Sequence, residues 1–302
     1  MQTEYSPNGK HVDDLEALLG AWRTPGYLMI IGGADRLDPE SRLARLFYAL
    51  AQRAEANSDL SGLVLVSTAT RHPEILTGEY MRIFARIGVP PEKIHAPFIR
   101  NRDEALEERH TRLLSGAGGI FITGGDQYTL AQTLDRSPVE EAIMAAYGRG
   151  AVVAGTSAGA TAMGRPMIVA GGGSGELKKG VVQMSRGLGW LGDDIIVDTH
   201  FGARGRFPRL ASAVAEHPAA LGVGIDENTC LLLDPEWQGR VAGAGVIYFI
   251  DASHLVLNSV DTAHTGQPVS AGPFQVDVLA AGQRYDLRSR RVVVAAEAKR
   301  RV

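Results

Sequence analysis

The chain reads as an α/β protein built on a mainly parallel sheet with helices on both faces. Two observations predict it. Short apolar runs alternate with longer amphipathic stretches across the first two-thirds of the sequence, the βαβα rhythm of such folds. Several runs close on turn-forming residues: GGAD (32–35), STAT (67–70), GGDQ (124–127) and TSAG (156–159). In parallel sheets, ligands gather at such carboxyl ends.

Taken in order, GYLMIIGG (26–33) is the first strand and PESRLARLFYALAQRAE its helix. LVLVSTA (63–69) follows, with EILTGEYMRIFARIG as the next helix. KIHAPFI (93–99) leads to RDEALEERHTRLLSGA, and GGIFITGG (118–125) to a helical stretch, DQYTLAQTLDRSPVEEAIMAAYGRG. Ala151-Val152-Val153-Ala154 is a short strand, apolar on both faces, and AGATAMG a helix start. AGGGSGELKKG (170–180) is a glycine-rich loop without the lysine and helix of a phosphate-binding loop. DDIIVDTHF (193–201) is another strand, with RGRFPRLASAVAEHP its helix. From about Gly222 the runs VGIDE, TCLLLD, GVIYFIDAS, FQVDVLAAGQRYDL and RRVVVA are β-rich. No linker divides them from the rest. The expectation is a single domain, an α/β core over about 26–235 with a β-rich extension over about 236–302.

Composition narrows the function classes. With 302 residues and 45% hydrophobic content, the chain can bury a full core. A net charge of -3 leaves no electrostatic footprint for nucleic acid. The sole cysteine, Cys230 in TCLLL, reads as a buried, inert thiol. MQTEYSPNGKHVDDLEALLG lacks the basic start and apolar core of a signal peptide, and no run approaches membrane-spanning length. A cytoplasmic protein without a membrane partner is expected. No HExxH or cysteine–histidine cluster exists, so neither metal nor cofactor is expected.

The stretch AVVAGTSAGATAMG raises the functional question, because Gly155-Thr156-Ser157-Ala158-Gly159 fits G-x-S-x-G. That pattern puts a serine on a sharp strand-to-helix bend with its hydroxyl exposed. A serine N-cap fits equally well. Partners decide between them. A nucleophile needs a base and donors for the oxyanion. The N–H groups of Ala158 and, in GGDQ, of Gly125 stand where such donors are needed, while Asp126 reads as an N-cap. Among the eight histidines, His200 ends the strand IIVDT. Arg204, Arg206 and Arg209 crowd the helix start that follows it, where the macrodipole disfavours cations. Such placement points to an anion.

GGDQ, GTSAGA, DTHFGARGRFPRL and GIDENTCLLL together resemble the serine peptidase family that holds the cyanophycinases and peptidase E, the cyanophycinases above all. The resemblance runs from about Gly26 to the C-terminal strands, and D-x-H-F-x-x-R-G-R-x-x-R-L is its specific part. It implies a flavodoxin-like fold related to class I glutamine amidotransferases, and a homodimer. It implies exopeptidase hydrolysis of cyanophycin, a polyaspartate carrying arginine on its β-carboxylates, to β-Asp-Arg dipeptides. The family's nucleophile falls on Ser157 and its base on His200; its substrate pocket falls on Gln127, Asp198, Arg204, Arg206 and Arg209. Thr199 stands where the family commonly has glutamine. The chemistry agrees, since arginines grip carboxylates in pairs and Asp198 could receive a guanidinium.

Two glutamates compete for the third place in a triad. Glu176 lies in the glycine loop, near where the family places its acid; Glu227 follows the strand LGVGID. A fixed platform suits the orientation of an imidazole, which favours Glu227. Other readings are a related isoaspartyl or aspartyl dipeptidase, an α/β-hydrolase esterase and a non-catalytic binding protein. The esterase would take its histidine late, from His254 or His264, and no HGGG-type motif accompanies them. The binding protein would have lost Ser157 or His200, and both are present.

Overall fold

The computed structural model describes residues 23–294, apart from 39, 173, 174 and 176. Its first half follows the predicted alternation: β1 (Leu28–Ile31), α1 (Arg42–Asn57), β2 (Leu63–Val66), α2 (Pro73–Arg86), β3 (Ile94–His95), α3 (Glu108–Ser115) and β4 (Gly119–Ile122). Two helices come next where the sequence reads as one helical stretch: α4 (Gln127–Leu134) and α5 (Pro138–Gly148). Pro138 is the reason. It lacks an N–H and cannot continue a helix, but it fits the first turn of a new one. Ser137 caps that turn by accepting from the Glu140 N–H at 3.1 Å. Asp126 caps α4 as expected, accepting from the N–H groups of Tyr128 and Thr129.

The chain continues through β5 (Val152–Thr156), the single turn α6 (Ala158–Thr161) and a hairpin of β6 (Met167–Gly171) and β7 (Val182–Ser185). Then come β8 (Ile195–Thr199), α7 (Phe207–Glu216), β9 (Leu221–Ile225), β10 (Thr229–Leu233), β11 (Gln238–Gly243) and β12 (Val246–Asp251). The minor pair β13 (Leu257–Asn258) and β14 (Ala271–Gly272) precedes β15 (Gln275–Ala280), β16 (Arg284–Asp286) and β17 (Arg291–Val293).

Two main sheets result. The larger has nine strands in the order β17-β16-β11-β10-β1-β5-β4-β2-β3. From β1 to β3 its pairs are parallel; from β1 to β17 they are antiparallel. Both faces are covered, so alternate residues of β1 serve different cores. Leu28 and Ile30 pack with α3, α4 and α5 through Leu114, Leu130 and Ile143; Met29 and Ile31 pack with α1 and α2 through Phe47, Tyr80 and Phe84.

The second sheet, of order β15-β12-β9-β8, carries the strand that precedes His200. The histidine therefore does not extend the serine's sheet, as a single parallel sheet would require. Strands after residue 235 join both sheets: β11, β16 and β17 the larger, β12 and β15 the smaller. Phe249 of β12 stacks on Tyr285 of β16 with ring centroids 3.8 Å apart, linking the two. Arg290 adds polar links, donating to Asp251 at 3.0 Å and Asp194 at 3.1 Å. Among the described residues, no helix is long and apolar enough to cross a membrane.

The bend after β5 depends on two glycines. A Cβ at Gly155 would lie 2.5 Å from the Gly159 carbonyl oxygen, and one at Gly159 would lie 2.5 Å from that of Ile122. Both obstacles are backbone, so the helix can approach the sheet only because neither residue has a side chain. Gly155→Ala should lower unfolding free energy by about 1–3 kcal/mol. A chemical denaturation midpoint equal to wild type would show that the bend has slack.

Candidate active site

Ser157 sits on the bend between β5 and α6 with φ 52° and ψ -113°. A non-glycine residue held there stores about 1–3 kcal/mol of strain. Its side chain makes no capping hydrogen bond to the helix. Instead, Oγ lies 2.9 Å from His200 Nε2. The helix-cap reading of the serine is thereby set aside.

His200 also has φ 52° and is largely buried. Its Nδ1 lies 2.6 Å from Glu227 Oε1. With Nδ1–H donating to that carboxylate, Nε2 is left as the acceptor for the serine hydroxyl. Strand register explains the meeting. β8 and β9 are parallel with Thr199 opposite Ile225, so His200 and the Asp226-Glu227 turn leave neighbouring strands at one level. Asp226 staples that turn by accepting from the N–H groups of Gly202 at 2.8 Å and Val246 at 3.2 Å. Glu227 is thus free to face the imidazole. Glu176, the competing glutamate, lies outside the described residues.

Three consecutive carbonyls after β1 join the two sheets at this point. Ile31 O accepts from the Ser157 N–H at 3.0 Å, Gly32 O from the His200 N–H at 2.7 Å, and Gly33 O from the Asn228 N–H at 2.9 Å. The imidazole also lies directly against this turn. A Cβ on Gly33 would be 2.4 Å from His200 Cε1, so only glycine fits.

The expected oxyanion donors lie close by. Gly124 packs on the serine, where an added Cβ would stand 3.3 Å from Ser157 Cβ. Ala158 opens α6, and neither its N–H nor that of Gly125 donates to another group among the described residues. Gln127 is partly committed elsewhere: its Nε2 donates to the carbonyls of Ile168 at 2.8 Å and Val169 at 3.0 Å.

The arginines after His200 do find an anion, and it is the chain's own. Asp198 is fully buried. It accepts from Arg206 Nη1 at 3.1 Å, from Arg209 Nε at 2.8 Å and from Arg209 Nη2. The guanidinium that Asp198 receives is therefore internal, where the sequence reading offers it to a substrate. Burial pulls the Arg206 guanidinium below its usual range, and Asp198 opposes that pull. Arg204 is exposed, and no side-chain partner engages it among the described residues. Thr199 is buried, with Oγ1 3.5 Å from Thr161 Oγ1. Cys230 is buried as expected, and burial pushes its thiol up to about 12.

The sequence reading missed one polar group beside the serine. Asp35 follows the Gly32-Gly33 turn and accepts from Thr156, the residue before Ser157. GGAD was visible as a strand end, but nothing in it marked the aspartate as a partner of the elbow.

Two consequences are measurable. Gly33→Ala should displace the His200 ring and slow fluorophosphonate labelling of Ser157 by roughly 100-fold, the scale of an ångström's misplacement. An unchanged labelling rate would show that the ring has another seat. Arg209→Ala leaves Asp198 half-paired inside the protein and should cost about 3–5 kcal/mol of stability. Urea denaturation reads it, and a loss under about 1 kcal/mol would contradict the buried pairing.

Residues 28–237 match the family model for peptidase family S51. The cyanophycinase of Trichormus variabilis is 36% identical over 274 residues, covering 90% of this chain and 89% of that protein. The cyanophycinase of Synechococcus elongatus is 33% identical over 268 residues, covering 88% of this chain and 81% of that protein. Among solved structures, a peptidase from an acI-B1 Actinobacterium superposes with a TM-score of 0.66 at 21% identity, covering 87% of this chain and 97% of the other. That likeness shows the fold, a mixed sheet with parallel strands flanked by helices. From the family match and the extent of these identities, the chain belongs to peptidase family S51.

Proposed function

We propose that the protein is a serine-type exopeptidase that hydrolyses cyanophycin to β-Asp-Arg dipeptides. The observation that carries the reading is the unbroken hydrogen-bonded line from Ser157 through His200 to Glu227. The named activity of the S51 relatives supplies the substrate class.

In this mechanism His200 Nε2 takes the proton of Ser157 as Oγ attacks the carbonyl carbon of the aspartyl backbone. Glu227 holds the imidazole in the required tautomer and stabilises the imidazolium that forms. The N–H groups of Ala158 and Gly125 receive the oxyanion. The imidazolium then protonates the departing amine, and water, activated by the same histidine, releases the acyl group. Each step uses side chains and backbone donors of this chain. For the substrate's carboxylates, exposed Arg204 and the donors of Arg206 not engaged by Asp198 or Thr199 are available. Asp198 serves this pocket by fixing Arg206 and Arg209. Gln127 completes its lining, while the buried Thr199 contributes its carbonyl, which accepts from Arg206 Nη1 at 2.5 Å. The same reading makes the enzyme a homodimer, as the resemblance implies, and a cytoplasmic protein.

Incubation with insoluble cyanophycin, with soluble products read by mass spectrometry, is the direct test. Release of β-Asp-Arg is expected, and Ser157→Ala should abolish it. Release from isoaspartyl or aspartyl dipeptides alone would favour the related dipeptidase. Glu227→Gln should lower kcat by up to roughly 10⁴, by analogy with the corresponding change in serine proteases. Glu176→Gln should matter far less; the reverse ranking would move the acid to the glycine loop. Arg206→Lys keeps the charge but loses the planar fork, so specificity for β-linked Asp-Arg should fall. Equal activity of that variant on cyanophycin would leave the arginines with a structural role only.

A further inference from the structure

Thr156, immediately before the strained Ser157, is 2% exposed. Its Oγ1 donates to Asp35 Oδ1 at 2.5 Å. The other oxygen, Oδ2, accepts from Tyr80 Oη at 3.0 Å. Tyr80 reaches in from α2 and is 3% exposed. The neighbouring cation, Arg36, is paired with Glu79 at 2.6 Å and reaches this carboxylate only through its charge. Among the described residues, two hydroxyls are the side-chain donors that hold Asp35.

Such an arrangement costs stability. Burial raises the Asp35 carboxyl above its usual range, and the hydrogen bonds from Thr156 and Tyr80 offset only part of this. A neutral residue would fill the place at lower cost if packing were its only task. Groups that are kept at the expense of stability gather where function needs them.

The position suggests the task. Ile31 O holds the backbone N–H of Ser157, and Asp35, four residues on, holds the side chain of Thr156. One turn thus holds two adjoining groups, the Ser157 N–H and the Thr156 side chain. Thr156 is β-branched, so holding its Oγ1 holds its χ1 and the backbone to which it is attached.

We propose that Asp35 is a positioning residue: through Thr156 it keeps the elbow in the conformation that aims Ser157 Oγ at His200. The proposal rests on Ser157 being the nucleophile. It concerns the aim of the serine and leaves the choice of substrate open.

The experiment therefore uses a probe that needs no substrate. The rate of fluorophosphonate labelling at Ser157 is measured beside the thermal midpoint for wild type, Asp35→Asn, Thr156→Val and Thr156→Ser. Asp35→Asn and Thr156→Val should each slow labelling by at least ~10-fold. The midpoint of Asp35→Asn should equal or exceed that of wild type, because a half-buried charge that its surroundings disfavour has been removed. Thr156→Ser keeps the hydroxyl and should restore most of the rate. Wild-type labelling rates in both Asp35→Asn and Thr156→Val would overturn the proposal while leaving the nucleophile assignment standing. A rate that fell only in step with the midpoint would overturn it as well, since that is what a purely structural residue gives. Absence of labelling at Ser157 in wild type would instead remove the nucleophile on which both readings stand.

Discussion

Everything in this site depends on three consecutive backbone carbonyls, those of Ile31, Gly32 and Gly33. They accept from Ser157, His200 and Asn228, residues that belong to three separate turns. A backbone acceptor has a fixed place once its strand is fixed, and β1 lies between β5 and β10 in the middle of the larger sheet. The turn is also locked from outside, because the Gly32 N–H donates to Thr229 O at 2.9 Å. The serine and histidine thus share a frame of reference although they belong to different sheets. Net energies of about 1 kcal/mol per hydrogen bond are small. Their value here lies in geometry, since a catalytic pair tolerates little displacement.

Charge is arranged around that frame in two contrasting ways. Asp198 is buried and met by two guanidinium groups, so removing either member exposes the rest to an uncompensated cost. Among the described residues, the side-chain donors that meet Asp35 are hydroxyls, and burial holds its carboxyl above the usual range. The first carboxylate builds a rigid cationic wall at the start of α7. The second is hydrogen-bonded to Thr156, the last residue of the strand that leads to Ser157. Neither distinction can be drawn from residue type, because both are aspartates at strand ends.

How much of this was legible in the sequence follows from how local each feature is. GTSAG carries its own explanation: the glycines that let α6 approach β5 lie two residues either side of the serine. The alternation of strands and helices is equally local, and so is the cap at Asp126. The division into two sheets is not, because it depends on pairings such as β12 with β9 and β15 that span long stretches of chain. That is why His200 could be recognised as a strand-end residue but not assigned to its sheet. The arginines were legible as cations in the wrong place. Their anion was two residues before His200, buried where only three-dimensional packing puts it. Glu227 could be favoured on the rigidity of its strand, yet its partnership with His200 needs the Thr199–Ile225 register.

The placement of Ser157 and His200 on different sheets has a consequence for when the chain becomes reactive. Ser157 belongs to a segment completed midway through synthesis, whereas His200, Glu227 and β10 all come later. Until these arrive, the Gly32 turn lacks its clasp from Thr229, and Ser157 has no acceptor for its proton. On the proposed reading, a nascent chain carries Ser157 as an ordinary alcohol until the strands that bring His200 and Glu227 to it are in place.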